Sequence, residues 1–512
     1  MTVRRSFYDV IVLGASLSAL AAGALLGRRG FRVTVVGHGA RAGTYELAGF
    51  TLRRALATVC VGETPAFRRV FAELALLPAV RRRLAPTAPA WQLVLPRHRL
   101  DVHAAPEAMM SELLREFPEI QRPMEDFHAA VARANAQLDA LLAEDLSWPP
   151  EGFFERRRAA RRLRATPFGA DGLGGDLLAE FSASHPFRVV VEAQARFSTA
   201  LAPGQLNALA RARLHALGLR AATLAEGDLD GLRRMLEDKI VQHGGDVRPR
   251  DRVEQLLVRG GAVRGARLAG TDEELGCAFV LSSLDGADSL RLARETAPRA
   301  YAERLLGARP ELYRYVLNVV LPAEALPVGM GRRLFIVSDP ARPLQEENLI
   351  AVETSPPDLE GFVTLTASTL LPRSSVEEGE GFLGLVRGRV LARLEGVIPF
   401  LDRHAVLIDS VHDGLAPDLR RATQQLSPLP RRSGAPEPME TLDRYEPLGA
   451  MGIFAMPWRA PLTGLLLVGR QSCPALGLEG EFLTALSVAR SVTRTDRTKE
   501  RMRRELWSKV ES

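Results

Sequence analysis

The residues best suited to chemistry in this sequence stand in a row near its start, Gly14-Ala15-Ser16-Leu17-Ser18-Ala19. They occupy the place of a G-x-G-x-x-G turn, which brings backbone N–H groups and the positive end of a helix dipole against a pyrophosphate. The first glycine is present. Ser16 stands at the second position, where its hydroxyl could itself donate to a phosphate, and Ala19 at the third, where alanine is tolerated. Taken alone, the spacing suits a ligand-free β-α-β unit as well. Other reactive side chains form no constellation. His98 and His103 lack a third metal ligand. Three cysteines, Cys60, Cys277 and Cys473, are too few and too scattered for a disulfide framework or a zinc site. Ser16 is not in the G-x-S-x-G context of a nucleophile elbow. Glu479 and Glu481 open the last long helix, where they complement its dipole. No catalytic acid or base and no metal ligand is assigned.

The elements that must position the turn are readable. Tyr8–Leu13 is a short apolar, β-branched run, as a buried parallel strand requires. Gly14 breaks it, Ala15–Arg29 is rich in Ala and Leu and favours helix, Gly30 ends that helix, and Arg32–Val36 is a second strand. The chain from Glu63 to Ala222 reads as mostly helical. Arg252–Val258 and Ala262–Leu268 flank Gly260-Gly261, a hairpin signal, and Phe279–Ser283 is a further buried strand. Tyr313–Leu321, Arg333–Val337, Leu349–Glu353 and Phe362–Thr366 predict a separate antiparallel sheet. Leu465–Val468 is the last strand, followed by a helix over 479–492 and a charged, solvated tail after Arg494.

A chain of 512 residues has room for two or three domains, and 46% hydrophobic with 25% charged residues is an ordinary globular composition. The net charge of +6 is small for this length. No basic stripe with interleaved aromatics suggests a nucleic-acid partner, and no apolar run is long enough for a spanning helix. Cysteine usage fits a reducing compartment, so a cytoplasmic location is expected. Trp148–Arg164 combines Phe153 and Phe154 with an arginine-rich segment. In so arginine-rich a chain, a solvated helix anchored by two core phenylalanines is the leading reading, and peripheral membrane contact is the alternative.

Tyr8–Phe50 (opening YDVIVLGASLSAL), Leu232–Val247 with the hairpin after it, and Gly464–Ala489 (opening GLLLVGRQSCPALGLEGEF) together resemble, in order, the opening, centre and closing segments of phytoene desaturases and related FAD-dependent amine-oxidase-like flavoproteins. The resemblance implies an α/β fold, a Rossmann-like FAD-binding domain interleaved with an α+β substrate domain of helices and antiparallel sheet. The first would take residues 1–65, 220–290 and 440–495, the second 66–219 and 291–439, with 496–512 a tail. It implies FAD contacts at Gly14, Ala15, Ser16, Ser18, Ala19, Gly37, His38, Arg41, Gly43, Val253, Gly469, Gly477 and Leu478. Five positions depart from the pattern: Ser16, Gly37 in place of the ribose-binding acid, Ala42-Gly43 and Gly227-Asp228 in place of paired glycines, and Pro474-Ala475-Leu476-Gly477 in place of a glycine-rich turn. NADP, with Arg41 toward a 2′-phosphate, ranks behind FAD. Lys239 and the two tail lysines do not suit the flavin-side lysine of amine oxidases. The implied activity is FAD-dependent dehydrogenation of a small apolar substrate, with isoprenoids among the candidates. The alternative is a cofactor-depleted, non-redox relative acting as a binding or partner protein. If the adenosine site survives, Gly37→Glu should improve FAD binding.

Overall fold

The computed structural model describes residues 5–58, 60, 64–150, 152–164, 176–219, 222–224, 228–377, 379, 381–420, 427–428, 435–449 and 451–511. Five parallel strands form one sheet in the order Asp246–Arg248, Val33–Val36, Val10–Leu13, Phe279–Ser282 and Leu465–Leu467. Every pairing along it is parallel. The sheet thus draws its strands from the beginning, the middle and the end of the chain, as the resemblance implies. Its central strands are wholly buried, which is why their sequence is a continuous apolar run rather than an alternation. Leu17–Arg28 packs between Asp228–Gln242 and the closing helix Gly477–Thr493. The hairpin forms as expected, with Val253–Arg259 and Ala262–Leu268 joined through Gly260 and Gly261, both at positive φ.

The second sheet is larger. Arg309–Pro322 pairs antiparallel with Phe362–Pro372 over its length, and Leu349–Thr354 and Arg333–Val337 follow outward. The four expected strands are present, three of them longer than read. Two additions come from the region read as helical: Trp91–Val94 and Arg99–Val102 extend this sheet, and Trp91–Val94 joins it in parallel. The sheet is therefore mixed. Helix Phe382–Glu395 covers one face with Val386, Val390 and Leu394.

Two expectations need correction. Phe153 and Phe154 are exposed, not core anchors. The tail helix Arg497–Glu511 is not simply solvated, because Arg503 is buried and bonds Asp145 and Glu500. Among the described residues no helix is long and apolar enough to cross a membrane.

Candidate functional site

The parallel strands Val10–Leu13 and Phe279–Ser282 end side by side, and the chain must turn there without a side chain. Gly14 has φ +90°, and a Cβ on it would lie 2.0 Å from Ser283 Oγ. Ser16 then caps the helix Leu17–Arg28: its hydroxyl accepts from the Ala19 N–H at 3.2 Å and lies 2.9 Å from the Ser18 hydroxyl. The Ser18 N–H points to Glu481 Oε2 at 3.4 Å. Burial raises the Glu481 pKa, against the opposing pull of Arg470 and Ser18. The N–H groups that the fold offers to a pyrophosphate are thus met by a serine hydroxyl and a carboxylate of the chain itself. Ala15 packs at the edge of the core.

The same substitution recurs in the next loop. Asp230, in the first turn of the helix Asp228–Gln242, accepts from the Gly43 N–H at 2.7 and 2.9 Å and from the Thr44 N–H at 3.2 Å. Arg233 holds the same carboxylate at 2.6 Å. Gly227 lies outside the described residues.

The adenosine side is closed more firmly. A Cβ on Gly37 would stand 2.2 Å from the Pro249 carbonyl oxygen, so the backbone of 249–253 lies where an acidic side chain would need to emerge. His38 N–H donates to the Asp251 carbonyl, and the Val253 N–H donates to His38 Nδ1 at 3.1 Å. Burial, with Arg252 adding to it, lowers the His38 pKa and keeps that ring nitrogen free to accept. Arg41 pairs with Glu437 at 3.2 Å, a carboxylate already held by Arg54 at 2.7 Å, so it is not presented to a 2′-phosphate.

Between the C-terminal edge of the parallel sheet and the large sheet lies a cavity of about 380 Å³. Ser16, Gly469, Gly477 and Leu478 line it, so four of the expected contacts do converge; Gly14 reaches it through Ser283. Gly37, His38, Arg41, Gly43 and Val253 do not line it. Its other walls carry Arg54, Arg233, Arg314, Arg333 and Arg470 against Glu353, Glu440 and Glu481. Glu440 is exposed into the cavity. Burial would raise its carboxyl, but Arg470 and Arg314 outweigh that and hold it below the usual range. Arg314 bonds Glu440 at 3.2 Å and Arg470 stands 3.7 Å from the same carboxylate. Glu353 accepts the Ala57 N–H at 2.6 Å and lies 3.7 Å from Arg333, whose Nε has no hydrogen-bond partner. Arg54 and Arg233 are already matched by Glu437 and Asp230, so Arg314, Arg333 and Arg470 face Glu353, Glu440 and Glu481, of which burial pushes Glu481 toward its neutral form.

Groups of the chain itself meet part of the surface that an extended FAD would use, and four of the expected contacts, Ser16, Gly469, Gly477 and Leu478, remain around the cavity. An extended dinucleotide uses the Gly43 loop, the helix N-terminus and the end of the second strand together; here Asp230 holds the Gly43 N–H, Glu481 meets the Ser18 N–H, and Pro249 backbone lies against Gly37. This geometry argues against a gain from Gly37→Glu, since its first side-chain carbon would lie 2.2 Å from the Pro249 carbonyl oxygen. The cavity arginines escaped the sequence reading. Arg314 and Glu353 could have been found as charged residues inside apolar strand runs, ELYRYVLNVV and LIAVET. Glu479 was read as a dipole partner; it is fully buried and paired with Arg213 at 2.6 Å. Cys473 is buried, and burial first, then Glu479, raises its pKa, so it is no ready nucleophile. Among the described residues no group of His, Cys, Asp or Glu could hold a metal.

Residues 12–74 match the family model of an NAD(P)-binding Rossmann-like domain. No curated protein matches in sequence. Among solved structures, an oxidoreductase from Methanosarcina mazei is 14% identical with a TM-score of 0.57, over 94% of this chain and 99% of that one. Putrescine oxidase bound to putrescine is 13% identical, TM-score 0.57, over 96% and 99%. Cyclohexylamine oxidase from Brevibacterium oxydans is 14% identical, TM-score 0.57, over 95% and 99%. Identities this low speak to the fold alone. Over residues 12–74 the chain resembles NAD(P)-binding Rossmann-like domains, and its overall fold is that of the solved oxidoreductase and amine oxidases named above.

Proposed function

We propose that this protein keeps an oxidoreductase fold but holds a small anionic molecule, rather than a dinucleotide, in the cavity between its two sheets. The observation that carries the reading is the exchange of partners. Asp230 and Glu481 take up the dinucleotide-binding N–H groups, while Arg314, Arg333 and Arg470 line a cavity in which one of the three facing carboxylates, Glu481, is pushed toward its neutral form and the Arg333 Nε has no hydrogen-bond partner. Arginine forks suit carboxylate or phosphate oxygens, and charge-assisted bonds are strong where water is scarce. The role is that of a binding protein.

A second reading has its own support. Ser16, Gly469, Gly477 and Leu478 surround the cavity as an FAD site of this fold would require, and the neighbours named above include amine oxidases. In it the protein is an FAD-dependent oxidoreductase, with the phytoene desaturase-like preference for an apolar substrate resting on sequence resemblance alone.

One set of measurements separates the two. Inorganic phosphate and succinate are titrated against the parent, Arg314→Met and Arg470→Met, with melting temperature as readout, and FAD is titrated against the parent and Asp230→Ala/Glu481→Ala. The binding reading expects a saturable anion-dependent rise in the parent, lost in both arginine variants, and no flavin bound by either form. Stoichiometric flavin in the purified parent, or FAD affinity gained about tenfold by freeing those N–H groups, would establish the second reading instead.

A further inference from the structure

We propose that the first turn of the helix Gly152–Arg164 docks this protein on an anionic bilayer surface, and that the adjoining aromatic cavity takes an acyl chain. Phe153 is 69% and Phe154 84% exposed, with ring centroids 5.6 Å apart. Large aromatic side chains side by side in water mark a place where something apolar is expected. At helical spacing, Phe153 heads a row continued by Arg157, Arg161 and Arg164, all exposed and, among the described residues, outside any ion pair. Arg158 and Arg162 instead meet Glu144, at 2.7 and 2.8 Å. The uncompensated charge therefore lies on the Phe153 row, the arrangement that seats apolar rings below phosphate groups.

Behind this helix opens a second cavity of about 600 Å³, lined by Trp148, Arg156, Ala159, Met451, Phe454 and Trp458 among others. Trp148 is 2% exposed and stacks on Phe454, with ring centroids 6.3 Å apart. Its indole N–H has no hydrogen-bond partner, a cost that an ester or carboxyl oxygen of a lipid would remove. An apolar chamber beside the exposed rings favours lipid over nucleic acid, which would call for stacking surfaces along a groove.

The test uses the full chain with vesicles of phosphatidylcholine alone and of phosphatidylcholine mixed with phosphatidylglycerol. Expected results are co-sedimentation with the mixed vesicles, weakened by salt, and quenching of tryptophan fluorescence by brominated acyl chains. Phe153→Ser/Phe154→Ser should weaken partitioning by about tenfold or more while keeping the parent melting temperature, since both rings are exposed. Arg157→Glu/Arg161→Glu should remove the preference for anionic lipid. The proposal is overturned if the parent ignores both vesicle types, if the serine variant partitions as the parent does, or if the protein binds an RNA oligomer and no vesicle.

Discussion

Two glycines show how differently the same residue can serve. Gly14 is needed for its backbone angle and for the space taken by Ser283, so Gly14→Ala should cost about 1–3 kcal/mol of stability, read by denaturant unfolding. Gly37 is needed because Pro249 backbone lies against it. Gly37→Glu should destabilise by about 1–3 kcal/mol through overpacking and leave FAD binding no better. Unfolding curves and a flavin titration of the same preparation check both statements. An improvement in FAD affinity would mean that the 249–253 segment swings away and the adenosine site reopens.

The closing helix Gly477–Thr493 is held by more than apolar contact. Arg213 reaches from the helix Ala208–Gly218 to Glu479 at 2.6 and 2.8 Å, and to Asn135 and Asp139 on the helix Gln121–Leu142. Both charges of the central pair are buried. Removing one of them strands the other without water. Arg213→Met should therefore destabilise by about 3–5 kcal/mol, whereas Arg213→Met/Glu479→Met should lose less than the single change. Chemical denaturation of the two variants decides it. Equal losses would show that packing volume, not charge pairing, fixes this helix.

For the molecule as a whole, buried histidines set the response to acid. Burial lowers His128 to about 4 and His215 to about 3, the latter with help from His128. Both are therefore neutral when folded and protonate first in the unfolded chain. Stability is present in full above the unfolded value of 6.5 and falls as pH drops from there toward 4, with a slope of about 1.4 kcal/mol per pH unit for each histidine. Glu237, Glu481 and Asp285, raised by burial, act in the opposite sense near the lower end of that range. His215→Gln isolates the histidine contribution: unfolding free energy measured across this window should show a shallower slope than the parent.

The parallel sheet, its helix and the hairpin were legible in the sequence because each is written in neighbouring residues: Val10–Leu13 in β-branched continuity, Leu17–Arg28 in alanine and leucine, Gly260-Gly261 between two alternating runs. The departures at Ser16, Gly37 and Ala42-Gly43 were legible too, as missing letters in a fingerprint. What stands in their place was not. Asp230 meets Gly43 from 187 positions away, Glu481 meets Ser18 from 463, and the arginines around the cavity come from two strands of the large sheet, the helix Asp228–Gln242 and two loops. Nor was the place of Trp91–Val94 in the large sheet legible, because its partner Arg333–Val337 lies far along the chain. Local sequence determines what a segment can form by itself, since backbone propensity and apolar period act over a few residues. Which carboxylate fills which N–H, and where uncompensated charge collects, depends on pairings between distant segments, and only the tertiary structure decided them.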